Sequence, residues 1–457
     1  GDHSPLINLQ SIGGGGGLAG AAAGNTQTLQ LGSTGLNGGI SVGGSVSLKQ
    51  NGDKLISRGN HSAVIRAQSI GGGGGAVSSN HTNLNLGASG TGTGSGGSVS
   101  VTNQGMLISE GRNAIGLVAQ SIGGGGGFAG LSSGSQLTLG GSLQGSGNGG
   151  TVTVTNSGAV STLGMNSAAL LAQSIGGGGG TVATATGATT QLGGSNATIA
   201  DAAEVSVTNR SALSTAGNGS PTLMLQSIGG GGGFIAQTNP IQAGSSLKVT
   251  LGGKNLGQAN AGRVQLSNSG ERLLSTGEIS PGLVAQSVGG GGGWSLLPST
   301  VSAQLGSAGG AVLQGNVVNI TNTAPIVTSG NASAGAVVQS IGGGGGVVGN
   351  AGSNLSLGAT QAQGRLSAGD VTNSQSGSIT TLGRSSAALV IQSIGGGGGL
   401  GASTTGDAQL GQIGSSSNAI SSGGSVTYQG QGIALKTAGV NAPALVVQSI
   451  AGGGGWI

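Results

Sequence analysis

Cysteine is absent from this 457-residue chain, aromatic residues make up 1% of it and charged residues 5%. Without cysteine there are no disulfide staples and no thiolate metal sites, a composition compatible with export through an oxidising compartment. So few aromatics and charges exclude both a large aromatic core and an ordinary charged globular surface. Thirteen lysines and arginines against nine acids give a net charge of +4. These basic residues form no patch, stripe or tail, so no nucleic-acid partner is expected. Every apolar run is cut by Gln-Ser or glycine well short of roughly eighteen residues, which rules out a membrane-spanning helix. No basic segment followed by an apolar one opens the chain, so any export signal is expected outside it.

What the chain has in excess is glycine, 109 residues, and it is periodic. The octapeptide Gln-Ser-Ile-Gly-Gly-Gly-Gly-Gly begins at Gln10, Gln68, Gln120, Gln173, Gln226, Gln286, Gln339, Gln392 and Gln448, with successive spacings of 58, 52, 53, 53, 60, 53, 53 and 56 residues. Two copies vary: Val288 replaces the isoleucine and Ala451 the first glycine. Nine copies at one period make residues 1–457 a single repeat array, with octapeptides at 10–17, 68–75, 120–127, 173–180, 226–233, 286–293, 339–346, 392–399 and 448–455.

Three apolar segments recur between octapeptides. One reads Leu-x-Leu-Gly, as in Leu137 to Gly140; a second reads Val-x-Val-x-Asn-x-Gly, as in Val152 to Gly158, followed by a short Ser-Thr element; the third leads into the octapeptide, as in Ala169 to Ile175. All alternate with period two, favour β-branched residues and end at turn formers, while no window shows a 3.6-residue period. The expected fold is all-β, a parallel β-helix (β-solenoid) of eight to nine repeats of about 53 residues, with helix content near zero. In the third segment the positions one and three before the glutamine are apolar in every copy, whereas two before it stand Asn8 and Arg66. That pattern predicts strands stacked along one axis with a single face buried. Two or three turns per repeat, of about 20–27 residues each, predict a rod on the order of 80–110 Å long. One wide turn per repeat is the competing geometry, and it stacks the octapeptides directly on one another.

Glycine in a regular element costs about 0.5–1 kcal/mol relative to alanine, so the runs imply that side chains are excluded there. Flat paired strands and polyglycine-II-like threads both satisfy that requirement. The residues after the runs, Leu18, Ala76, Phe128, Thr181, Phe234, Trp294, Val347, Leu400 and Trp456, read as plugs closing a corner of the cross-section. None begins the Gly-Lys-Ser/Thr of a nucleotide loop. The nine glutamines are the structural motif of the repeat, expected as an amide ladder, with a ligand-binding stripe as the alternative. Asn103, Asn156, Asn209, Asn268 and Asn322 read as left-handed turn residues or as a second ladder.

Candidates for chemistry are few. Asp201 with Glu204 and Glu271 with Glu278 are close in sequence but recur in no other repeat, and His3, His61 and His81 read as surface residues without zinc spacing. No catalytic, cofactor-binding or metal residue is assigned, no cofactor is expected, and the chain is expected not to be an enzyme. The stretch from Val152 to Gly180, with its Val-x-Val-x-Asn-x-Gly, Val-Ser-Thr-x-Gly and Ser-x-Ala-Leu-x-Ala-Gln-Ser-Ile-Gly elements, resembles the passenger repeats of Gram-negative autotransporter adhesins and related filamentous surface proteins. The resemblance extends over all nine copies. It implies a parallel β-helix displayed at the bacterial outer cell surface, extracellular, adhesive, biofilm- or filament-forming, carried in full length by an outer-membrane barrel that this portion lacks. The expected partners are other copies in a fibre and a host or abiotic surface. Weaker alternatives are an ice- or surface-binding solenoid, for which the expected flat Thr-x-Thr arrays are not seen in the sequence, and a β-helical polysaccharide enzyme.

Overall fold

The computed structural model describes residues 1–19, 26–33, 39–52, 54–77, 81–130, 136–143, 147–183, 189–236, 248–297, 301–349, 355–404, 412–416 and 419–456. Among these residues every regular element is a strand, and every strand pairing is parallel, joining each strand to its equivalents in the adjacent repeats.

One coil shows the plan. A core strand, Leu117–Ile122, ends in the glycine run; an arch strand, Gly126–Ala129, follows; then come an outer strand, Gln136–Leu139, a valine strand, Val152–Asn156, and a short strand, Val160–Thr162. The next core strand, Leu170–Ile175, lies directly on the first, with Gln120 opposite Gln173. Stacked through the molecule, these elements form a nine-stranded core sheet, a nine-stranded arch sheet, and outer, valine and short sheets of eight strands each.

Each repeat is therefore a single wide turn, and the expectation of two or three turns is overturned. Nine core strands make eight steps of about 4.8 Å, so the stack rises only about 38 Å, not 80–110 Å. The reason lies in the layering, since a narrow coil encloses one core and this coil folds back over itself. Leu117 and Ala119 face Val152, Val154 and Val160 across the largest core. The opposite face of the core sheet, through Leu171, Met224 and Val284, packs on Phe234, Trp294 and Leu400 of the arch sheet. The arch sheet's far face, Val182 and Ile235, meets Leu137, Leu139 and Leu251 of the outer sheet.

That folding back corrects the one-sided reading of the core strand, whose inner copies are buried at all six positions. Arg66, at a position expected to meet solvent, is 3% exposed, with its guanidinium 4.1 Å above the Phe128 ring. Burial pulls it down to about 10, and the ring's electron-rich face compensates part of the lost hydration.

Candidate functional site

The repeat's invariant element is an arch. The third glycine of each of the first eight runs sits at φ between +79° and +93°, and the fourth and fifth between +127° and +146°, backbone that L side chains rarely adopt. The third glycine makes the reversal. The fourth and fifth pair in register with their equivalents above and below, as Gly126 with Gly179 and Gly127 with Gly180. A Cβ on Gly179 would fall inside the carbonyl of Gly232 in the next coil, and one on Gly180 inside that of Gly127 in the previous coil. Side chains at these two positions would point along the stacking axis, where the strand spacing leaves them no room. Of the two geometries left open by the sequence, these glycines form paired strands.

The Leu-x-Leu-Gly glycine belongs to the same construction. Gly140 lies where a Cβ on Gly178 would meet its Cα, and Gly193 stands in the same relation to Gly231. Hydrogen bonds close the junction, as from the Ser307 amide to the Gly290 carbonyl at 2.6 Å and from the Gly253 amide to the Gly230 carbonyl at 2.6 Å. Two separated glycine motifs thus form one backbone-to-backbone contact.

Beside the arch runs the glutamine ladder. Each Nε2 donates to the Oε1 of the glutamine in the following coil: Gln10 to Gln68 at 2.8 Å, Gln68 to Gln120 at 2.6 Å, Gln120 to Gln173, Gln173 to Gln226 at 2.5 Å, Gln226 to Gln286 at 2.6 Å, Gln286 to Gln339 at 2.7 Å, Gln339 to Gln392 at 2.6 Å and Gln392 to Gln448 at 2.6 Å. All nine sit between the core and arch sheets, and the seven inner ones are fully buried. Thr181, in a plug position, accepts a second bond from Gln120 at 2.9 Å. The adjoining serines stitch coils from the other face: Ser121 Oγ donates to the Gly97 carbonyl and accepts from the Gly150 amide, both at 2.7 Å.

The asparagines form a second ladder at the ends of the valine strands. Asn103 donates to Asn156 and Asn156 to Asn209 at 2.8 Å, Asn209 to Asn268 at 2.7 Å and Asn268 to Asn322 at 2.6 Å. They end β-strands and none has positive φ, so the turn reading is set aside. The left-handed position is a different one, seven residues before each glutamine: His3, His61, Asn113, Asn166, Gly219, Ile279, Ala332, Ser385 and Asn441. The asparagines and glycine in that column were the signal for it, masked by the histidines, isoleucine and alanine.

One further expectation is corrected. His61 is not a surface residue but 8% exposed, stacked on His3 with ring centroids 4.6 Å apart and planes 7° apart. The left-handed column places these rings one above the other, which spacing alone did not reveal. The His81 side chain lies outside the described residues. The valine sheet carries a short-polar array, rich in hydroxyls, in which Thr153 and Thr155 form the Thr-x-Thr pair. Its outward ranks run Ser100, Thr153, Ser206, Gln265, Asn319, Thr372 and Thr102, Thr155, Thr208, Ser267, Thr321, Ser374, in register and open to solvent. The array is assembled by stacking, one short polar pair per coil.

Asp201 and Glu204 are not assembled into a shared site. Asp201 spans coils as a positioning acceptor, taking the Asn260 amide at 2.7 Å and the Gln258 side chain at 2.5 Å. Burial pushes its carboxyl above the usual range. Among the described residues no group of three or more His, Asp or Glu could hold a metal ion. No helix there is long and apolar enough to cross a membrane.

No protein-family model matches this chain, and no curated protein matches it. Among solved structures, a chain in the cryo-EM structure of the Vag8-C1 inhibitor complex is 13% identical, covering 88% of this chain and 100% of that one, with a TM-score of 0.14. A likeness of that size carries no argument about this chain.

Proposed function

We propose that this chain is a structural and adhesive segment of a bacterial outer-surface protein, an extracellular solenoid that holds a binding surface away from the cell. The observation that carries this reading is the uninterrupted stacking of all nine coils through parallel strands and a buried amide ladder, which makes a stiff, weakly charged body. The repeat elements from Val152 to Gly180, similar to autotransporter adhesin passengers, support the surface location and a role in biofilm or filament formation. Fibre formation through other copies, a host or abiotic surface as partner, and an outer-membrane barrel in the full-length protein belong to the same proposal. Electron microscopy of the purified chain, with adhesion of chain-coated beads to host cells and to plastic, tests it. Stiff particles or filaments together with bead adhesion would support it, and flexible coils or inert beads would sink it.

A second reading, surface binding through the valine sheet, is favoured by the two hydroxyl-rich ranks. From Ser100 to Ser374 they hold no charge over six coils. The chain carrying Thr153→Lys, Thr155→Lys, Ser206→Lys and Thr208→Lys separates the readings. Adhesion lost in that chain would place the contact on this face; adhesion retained would place it elsewhere.

A further inference from the structure

We infer that the stacked His3–His61 pair is an acid-released latch on the first coil, holding the turn before its core strand closed at neutral pH and opening it when the imidazoles take up protons. The geometry carries this. Both rings occupy the left-handed column, parallel and 4.6 Å apart, and the Nδ1 of each is buried with no hydrogen-bond partner among the described residues. The backbone bonds guarded by the stack run from the His3 amide to the Asn60 carbonyl at 2.8 Å, from Leu6 to Ala63 at 3.2 Å, from Ile7 to Val64 at 3.0 Å and from His61 to Arg112 at 2.8 Å.

The surroundings are poorly disposed to a second cation. A Cβ on Gly130 would meet His3 Nδ1 at 3.3 Å and the Phe128 ring at 3.2 Å, and over that ring lies the buried Arg66 guanidinium. Arg112 also opposes protonation of His61. Among the described residues Asp2 is the one carboxylate acting on the pair, and it is engaged by the Asn60 amide at 2.8 Å and the Asn60 side chain at 3.4 Å. Two imidazoliums face to face would repel each other beside the Arg112 guanidinium, with the Asp2 carboxylate to offset them.

The titration supports the same direction. Burial first, then the neighbouring His3, holds His61 down to about 4, and burial lowers His3 as well. Once opened, each imidazole regains its ordinary value near 6.5, so the open form binds more protons. Closure is therefore fully stable above about pH 6.5 and weakens as the pH falls towards 4. Other coils place asparagine in the same column, at Asn113, Asn166 and Asn441, so the fold accommodates a non-titrating residue there.

The test is amide hydrogen exchange of the full 457-residue chain at pH 7 and pH 4, corrected for the intrinsic pH dependence of exchange. Protection at His3, Leu6 and Ile7 is expected to fall about tenfold or more on acidification. Protection in the inner core strands should stay unchanged. In the chain carrying His3→Asn and His61→Asn the same amides should be pH-independent, and Asp2→Asn should leave the dependence in place. Equal wild-type protection at both pH values would overturn the latch. So would a dependence that survives in the double asparagine chain or disappears in the Asp2→Asn chain. None of these outcomes bears on the adhesive reading, which concerns the assembled stack.

Discussion

The core sheet and the valine sheet are built from strands of nearly equal length in the same coils, yet they treat polar residues differently. In the core sheet both faces are enclosed, and the glutamine ladder runs through all nine coils without a break. In the valine sheet one face meets water, and the asparagine ladder covers the five coils from Asn103 to Asn322. Gln50 stands in its place at one end and Gln375 at the other. Gln375 turns its amide to the Gly377 carbonyl at 2.6 Å and leaves its Oε1 buried without a partner among the described residues. Asn373 occupies the apolar position of Ile320 in the coil before it, buried with both polar atoms unpartnered among the described residues. The comparison teaches that a ladder enclosed by sheets on both faces keeps one residue type through every coil, whereas one at a strand end beside a turn drifts and leaves buried polar atoms orphaned.

The strongest way to break the enclosed side is Gly179→Ala. It adds a Cβ into the Gly232 carbonyl at φ +142°, so a loss of about 3–6 kcal/mol is expected from strain and overpacking together. Urea unfolding and soluble yield measure it, with Gly452→Ala, which meets nothing within 4 Å, as the neutral partner. Next in size is Gln286→Leu, which strands the Gln226 Nε2 and the Gln339 Oε1 and should cost about 2–5 kcal/mol. The same experiment at Thr155, outward on the valine sheet, should change the unfolding free energy by no more than about 0.5 kcal/mol when the residue becomes alanine.

Repairing the valine sheet sharpens the comparison from the other direction. Asn373→Val restores the apolar residue found at Val101, Val154 and Val207 and should stabilise the stack by about 1–3 kcal/mol, read from the shift in melting temperature. If the buried amide instead holds an ordered water, the gain will vanish. A small gain is expected at Ser385, a left-handed residue at φ 52°. Ser385→Gly, matching Gly219 in the same column, should add about 0.5 kcal/mol.

The periodicity of Val-x-Val and Leu-x-Leu announced strands, and the repeated octapeptide announced a stack of like upon like. A glutamine at the same place in nine copies pointed to an amide ladder for the simple reason that stacking puts identical side chains one strand spacing apart. The burial of Arg66 was not legible, because the chain that covers it, Phe128, lies in the following coil and reaches it after the glycine arch. Nor was the His3–His61 stack, whose members are 58 residues apart in different coils.

What the amino-acid sequence determined alone is therefore local and repetitive: the β character, the register of each strand with its own copy, the places where no side chain fits and the residues that can ladder. Tertiary structure alone decided how far a repeat travels before it meets itself. The period-two pattern marks one face of a strand as apolar and is silent about what covers the other face. Five consecutive glycines can end a narrow turn or reverse a wide one with equal ease. The choice falls to packing between layers, where the arch strand buries the back of the core sheet and turns each 53-residue repeat into one broad coil.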